Sequence, residues 1–356
     1  MSNAWPNISG LICPLREHES MTWDQLDWAA LDRLRDRFLT GSDAPAELSG
    51  SYWNCASDLA NYDFTFAQRI GWKGDAVLGE LRQRDWRAPT GPVLDWGCGS
   101  GIAGRRVVGF LEPERPVCLR VFDHSPLAME FAAFAARRQF PTLHVETASR
   151  AALEECSGTL VISHVLNELD ETARRLLRQS IDRAQAVLWV EPGTFADSRA
   201  LIAIRESLRE TFEFIAPCPH QASCGLRAPG NERHWCHHFA PPPPGIMADS
   251  NWVRFAQRAG IDLRTLPYSY LVMEKKGQPV PSHPRLTDAA GWARILGEPR
   301  VYKGFAKLLS CQAAGVSEFE LQKRVDPTAF KAFKEGHAPS LWRYKVEGQR
   351  IVELLK

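Results

Sequence analysis

Hydrophobic and polar positions divide the chain into stretches of different rhythm. From residue 20 to 90 the spacing is helical. Leu26, Ala29, Ala30, Leu34 and Phe38 recur at helical intervals between Asp and Arg residues. The GSDAP stretch at 41–45 breaks that pattern, and Leu59, Tyr62, Phe66 and Ile70 resume it. A helical N-terminal region over 1–90 is therefore expected. From 91 short apolar runs alternate with amphipathic ones. Strands are predicted at 92–96, 118–123, 143–145, 159–163 and 186–190, with helices at 126–138, 171–184 and 196–213. Such alternation predicts an α/β fold with a mostly parallel, doubly wound sheet. Residues 217–245 lose the rhythm. They hold three Cys, four His and a PPPP run, and are expected to form neither regular strand nor helix. A helix at 251–259 and a strand at 266–273 complete a core spanning 91–276. GQPVPSHP at 277–284 reads as a linker. Residues 285–356 read mainly as β structure, with a hairpin from 301–311 and 315–321.

Composition adds limits. The chain has 356 residues, 44% of them hydrophobic, with 43 Lys+Arg against 42 Asp+Glu. These are values of a globular protein and exclude a disordered or fibrous chain. No apolar run approaches the roughly 20 residues of a membrane helix, so no membrane partner is expected. The opening MSNAWPNISG lacks a basic segment followed by an apolar one, so a cytoplasmic protein is expected. The expected state is a monomer. A net charge of +1 gives no argument for nucleic acid, but the charge is unevenly spread. Nine basic and thirteen acidic residues precede position 91, whereas eleven basic and six acidic residues lie from 300 onward.

The first candidate chemistry is the glycine loop Val93-Leu94-Asp95-Trp96-Gly97-Cys98-Gly99-Ser100-Gly101. A strand ends near Asp95 and glycines lead into a helix, letting backbone approach a ligand. Asp123 closes the next strand, where an acid accepts hydrogen bonds from ribose hydroxyls. The spacing resembles the D-x-G-x-G-x-G loop of class I methyltransferases that use S-adenosylmethionine. Gly99, Gly101 and Gly104 also have dinucleotide-loop spacing, but sit four residues past Asp95. A nicotinamide cofactor and a plain tight turn are the alternatives. The methyltransferase resemblance implies cofactor contacts from Asp95, Trp96, Gly97, Gly99, Ser100, Gly101, Asp123, His124 and His164. His164 follows the fourth strand, where it could also serve as a base near neutral pH or simply pack. No Asn/Asp-Pro-Pro-aromatic tetrad is present, and no residue stands out as a catalyst.

The second is a cluster of thiols. With nine Cys in a chain expected in the cytosol, metal binding is a better reading of a cluster than disulfides. Cys13, Cys55, Cys98, Cys118 and Cys156 are scattered and read as small buried residues. Cys218, Cys224 and Cys236 fall in one Pro-rich stretch beside His220, His234, His237 and His238, and Cys311 follows in the basic segment. Four thiolates hold an iron–sulfur cluster or, with or without imidazole, a zinc ion. The gaps of 5, 11 and 74 residues match no familiar zinc pattern. A Pro-stiffened loop with buried thiols is the metal-free alternative.

Together these features resemble one family, the methyltransferase-like proteins of the small ribosomal subunit, whose mitochondrial members act as small-subunit assembly factors. The resemblance runs over roughly 50–345. It is carried by the helical segment from Tyr52 to Leu81, Asp95–Gly101, His164-Val165-Leu166-Asn167-Glu168-Leu169, Glu191-Pro192-Gly193-Thr194, Pro217-Cys218-Pro219-His220 with Cys224, and Trp235-Cys236-His237 with Phe239. Pro299-Arg300 with Lys303, Cys311, Lys323-Arg324 and Leu341-Trp342 complete it. The resemblance implies a Rossmann-like methyltransferase core, a [4Fe–4S] cluster on Cys218, Cys224, Cys236 and Cys311, and the small ribosomal subunit or its rRNA as partner. The long gap before Cys236 leaves His234 and His237 as rivals for its place. Some members of the family bind without methylating, so a non-catalytic assembly factor is the alternative. Tyr302, Phe305, Phe319, Phe330 and Trp342 interleave with Lys and Arg, which suits unstacked bases and an RNA backbone. Core aromatics beneath a solvated face are the competing reading.

Overall fold

The computed structural model describes residues 21–40, 53–111, 118–155, 157–277, 291–336 and 338–355. The opening residues 1–10, the break at 41–45, Cys13, Tyr52, Cys156 and linker residues 278–284 lie outside these. In chain order the elements are α1 (Trp28–Thr40), α2 (Ala56–Phe64), α3 (Phe66–Gln83), β1 (Val93–Trp96), α4 (Ile102–Leu111), β2 (Cys118–Phe122), α5 (Pro126–Gln139), β3 (His144–Thr147), β4 (Thr159–Ser163), α6 (Glu171–Arg183), β5 (Ala186–Pro192), α7 (Phe195–Leu208), β6 (Phe212–Ala216), β7 (His238–Ala240), α8 (Ser250–Ala259) and β8 (Leu266–Lys275). They continue as β9 (Trp292–Ile295), β10 (Arg300–Val301), β11 (Phe305–Gln312), β12 (Gly315–Gln322), α9 (Pro327–Glu335), β13 (Leu341–Glu347) and β14 (Arg350–Leu355). None of the described helices is long and apolar enough to cross a membrane.

The chain divides into two compact units. The first gathers described residues up to Gly74 with Gly91–Arg183 and Pro242–Arg264. Its strands lie parallel in the order β3-β2-β1-β4, with Asp95 level with Val121 and Val161. β1 is buried along its whole length, as a strand covered on both faces must be. Local signals set the helices between strands. Ser125 accepts the Ala128 N–H at 3.4 Å and Pro126 fills the first turn of α5. Asp249 caps α8 in the same way and Gly260 ends it in the left-handed region. The N-terminal helices pack through aromatic rings: Trp23 meets Phe64 and Trp252 edge-on, each at 5.1 Å, and Phe66 meets Phe255 at 5.0 Å.

The second unit holds Asp75–Thr90, Ala184–Pro241 and the described residues from Thr265 on. Here β8 lies between β5 and β6 and runs antiparallel to both, and β7 pairs with β8 beyond β6. β6 and β7 depart from the sequence reading. The helix expected to 213 ends at Leu208, because Phe212, Phe214 and Ala216 are buried on one side as β6 pairs with β8. The irregular 217–245 stretch yields a three-residue strand where it meets Tyr268 and Leu266.

The last strands form a second sheet. β11 and β12 make the expected hairpin, Phe305 opposite Gln322. β12 pairs parallel with β14, β14 antiparallel with β13, β13 with β9, and β9 returns to β11. The strands therefore close on themselves around Ala293, Ile295, Ala306, Leu308, Phe319, Leu321 and Ile351. α9, capped by Asp326 and terminated at Gly336, adds Phe330 and Phe333 to that core. The fold class is the expected α/β one: parallel strands alternating with helices, and a separate β-rich C-terminal sheet.

Candidate functional site

The glycine loop is built from the buried end of β1. Asp95 is 1% exposed, and its Oδ2 accepts the Gly104 N–H at 3.0 Å. A Cβ on Gly104 would stand 2.7 Å from that same oxygen, so only glycine lets α4 approach the strand so closely. Burial pushes the Asp95 carboxyl up to about 7. The Gly104 N–H works against this, and the charge of Asp123 adds to it. Asp95 therefore organises the turn from within.

Asp123 stands at the other side of the loop. Its Oδ2 accepts the Gly99 N–H at 3.0 Å, and its Oδ1 accepts the Ser125 N–H at 2.9 Å. Gly99 has φ of +50°, the left-handed turn that glycine adopts without strain. The exposed His124 places Nδ1 3.1 Å from Asp123 Oδ1, and that hydrogen bond and charge raise its pKa. Two polar atoms of the loop are orphaned among the described residues, the buried Ser100 Oγ and Trp96 Nε1. Buried polar groups normally have partners, so these two are natural contacts for a bound polar ligand. Hydrogen bonds thus hold the loop from Trp96 through Gly97, Gly99, Ser100 and Gly101 between Asp95, bonded to Gly104, and Asp123, bonded to Gly99, Ser125 and His124.

His164 follows β4 with φ of +58°, a conformation costly for a residue with a Cβ. Its Nε2 lies 3.1 Å from Lys73 Nζ and its Nδ1 3.0 Å from Ser163 Oγ. An ammonium only donates, so Nε2 accepts and the ring is neutral with its proton on Nδ1. Burial, Lys73 and Arg69 together hold its pKa well below the usual value. Lys73, buried on α3, is a site residue that sequence reasoning missed. Its one signal is a lysine on the apolar side of a helix.

The thiols meet in the second unit. Cys218 follows β6, Cys224 precedes a short 3-10 turn at Gly225–Arg227, Cys236 precedes β7, and Cys311 lies on β11. All four line one cavity with Arg205, Arg294 and apolar residues, and no histidine lines it. His237 instead stacks on Trp235 at 4.4 Å, with Nδ1 3.1 Å from the Trp235 carbonyl. His220 and His238 stand just behind, their Nε2 atoms 3.5 Å from Cys311 Sγ and 3.7 Å from Cys236 Sγ. Ser198 and Ser269 both donate to the Cys236 carbonyl, at 2.8 and 2.6 Å, which fixes the backbone there. The Cys224 N–H donates to Glu206 at 3.0 Å.

Burial pushes the Cys224 thiol up to about 11 and those of Cys236 and Cys311 further, and each thiolate raises its neighbours. Thiols buried in this way become anions only opposite a strong positive charge. Among the described residues, only Cys118, His144 and Glu146 form a group of three ligand atoms within 4.8 Å of one another. The Cys118 group already holds a cation, since Arg120 Nε lies 3.1 Å from Glu146.

The expected aromatic RNA face divides. Phe319 and Phe330 are core residues of the C-terminal sheet, and Trp342 packs partly buried against it. Strand alternation turns Phe319 inward, and the apolar side of α9 does the same for Phe330. Tyr302 remains 44% exposed, stacked on Phe305 at 4.6 Å.

Comparison with known proteins gives one family. A family model described as mitochondrial small ribosomal subunit Rsm22 matches residues 75–342. No curated protein matches the sequence. Among solved structures, magnesium protoporphyrin IX methyltransferase from Synechocystis, with S-adenosylhomocysteine bound, is similar at 12% identity and a TM-score of 0.37, over 71% of this chain and 97% of that one. A Thermoplasma acidophilum protein is similar at 13% identity and 0.34, over 69% and 98%. A plantazolicin methyltransferase is similar at 9% and 0.35, over 69% and 96%.

Proposed function

This chain belongs to the Rsm22 family of the mitochondrial small ribosomal subunit, and on that premise we propose that it binds S-adenosylmethionine and acts on or assembles the small ribosomal subunit through its rRNA. We further propose that Cys218, Cys224, Cys236 and Cys311 hold a structural [4Fe–4S] cluster. The carrying observation is the convergence of four thiols on one cavity that no histidine lines. An all-thiolate donor set suits an iron–sulfur cluster, and a single zinc ion is the rival occupant. Bound there, the cluster would tie the loop after β6 to β11, and its binding energy would be folding energy.

S-adenosylmethionine supplies an electrophilic methyl group when bound. The residues proposed to receive it act by position. Asp123 offers its carboxylate to ribose hydroxyls, Ser100 and Trp96 offer unpaired polar atoms, and the glycines permit close approach. His164, locked between Lys73 and Ser163, serves as a neutral acceptor rather than a mobile base. That locking favours a second reading, an assembly factor that binds the cofactor without turnover.

The test is anaerobic purification followed by a visible spectrum and quantification of iron, sulfide and zinc. About four iron and four sulfide per chain with visible colour is the expected result. Stoichiometric zinc without colour refutes the cluster. Calorimetry with S-adenosylhomocysteine then tests the pocket, and absence of binding at millimolar concentration refutes it.

A further inference from the structure

The C-terminal strands carry a site of their own. Counting β9, β11, β12, β13 and β14 as five, their order around the barrel is first, second, third, fifth, fourth and back to the first. The third and fifth are parallel, all other neighbours are antiparallel, and α9 lies between the third and fourth. This is the topology of an OB-fold, whose second and third strands and first connecting loop form the face that takes oligonucleotides. Nothing in the linear sequence announces it, because two closing pairs join strands far apart in the chain.

That face is divided between two tasks. At one end of the β11–β12 hairpin, Cys311, Leu309 and Val316 pack against the thiol cavity. The other end is open. There the loop before β11 places the exposed Tyr302 ring parallel to Phe305, at 4.6 Å and 15°. Around this pair stand Lys303, Lys323 and Arg324, all exposed. Lys323 and Arg324 border an open depression with Gly304, Gln322 and Pro327. Lys307 and Arg300 are engaged by Glu318, but Lys303, Lys323 and Arg324 have no carboxylate partner among the described residues. An aromatic ring backed by a second ring, ringed by unneutralised cations, matches an unstacked base and its flanking phosphates. A duplex cannot offer that base without opening.

We propose that this end of the barrel is a binding site for single-stranded RNA, with one base stacked on Tyr302 and phosphates on Lys303, Lys323 and Arg324. The assignment rests on the reading of rRNA as partner and gives it a surface separate from the glycine loop. The experiment uses the full chain, purified without oxygen. Fluorescence anisotropy is recorded with a labelled oligo-U RNA of about 12 nucleotides, inside the roughly 4–16 that one such barrel covers. Tyr302→Ala should weaken binding about 5- to 150-fold while Tyr302→Phe retains it, since stacking on one base is what is lost. Lys323→Gln with Arg324→Gln should reduce the slope of log affinity against log salt by about 1.4, two phosphate contacts on a single strand. A duplex RNA of equal length should compete poorly. Unchanged melting curves identify these as surface effects. Wild-type affinity in both variants, or equal competition by duplex, overturns the site. If small-subunit rRNA still binds those variants as it binds the wild type, the site falls and the RNA reading stands. If the wild type binds neither oligo-U nor rRNA, both fall.

Discussion

Replacing Glu80 with Gln tests how the second unit is held together beneath its thiols. Glu80 lies on α3 and faces two buried arginines. Arg84 Nε donates to its Oε1 at 2.9 Å, Arg294 Nη1 donates to its Oε2 at 3.1 Å, and the Tyr270 hydroxyl donates to Oε2 at 2.6 Å. Arg84 is 7% exposed and Arg294 1%. Burial alone would raise the Glu80 pKa, but Arg294 and Arg84 outweigh it and hold the carboxyl far below the usual range. Gln keeps the shape and removes the charge, leaving two guanidinium groups buried against a neutral amide. Breaking a buried pair from one side costs about 3–5 kcal/mol. Tyr270→Phe, which removes one hydrogen bond and no charge, should cost about 1 kcal/mol.

Urea unfolding measures both, as a fall in midpoint at constant slope. Acid adds a second signature. A carboxyl whose folded pKa is depressed stabilises above its unfolded value of 4.5, and that contribution is lost as pH falls through the window below it. Glu80→Gln should flatten this loss. Arg294 also donates to the Pro217 carbonyl at 2.9 Å, one residue before Cys218, so the variant should also hold less of the proposed cluster. A cost below about 1 kcal/mol for Glu80→Gln, or equal costs for the two variants, would refute the reasoning.

Other outcomes follow from the two sites. Cys218→Ser should lower iron content and solubility together, and full metal occupancy would show that Cys218 is no ligand. Asp123→Asn should weaken S-adenosylhomocysteine binding about 10- to 150-fold by calorimetry, the range for hydrogen bonds to a charged group, and unaltered affinity would remove its ribose role. Lys73→Met should raise the pKa of His164 toward 6.5, followed by NMR titration, because a neighbouring cation is removed. The wild-type histidine, with its folded pKa depressed, should also make the chain less stable as pH falls below about 6.5, and the variant should shrink that dependence.

Much of the fold was legible in the sequence where the signal is local. The glycine loop after Asp95, the Ser125–Pro126 start of α5, the β11–β12 hairpin and the crowding of thiols near 218–236 all depend on residues a few positions apart. Turn geometry, capping and alternation act over that range, so order along the chain suffices to read them. Cys311 entered the set through family resemblance rather than spacing, since 74 residues separate it from Cys236. Tertiary structure decided the rest. The neutral state of His164 depends on Lys73, 91 positions earlier, and the burial of Arg294 on Glu80, 214 positions earlier. Five aromatic residues among Lys and Arg read alike in one dimension, yet Phe319 and Phe330 turned inward and Tyr302 outward. A residue's side of a strand is set by which partner covers it. Closure of β9 on β11 and of β12 on β14 depends on burying the barrel's interior side chains together, a condition that exists only when distant segments meet.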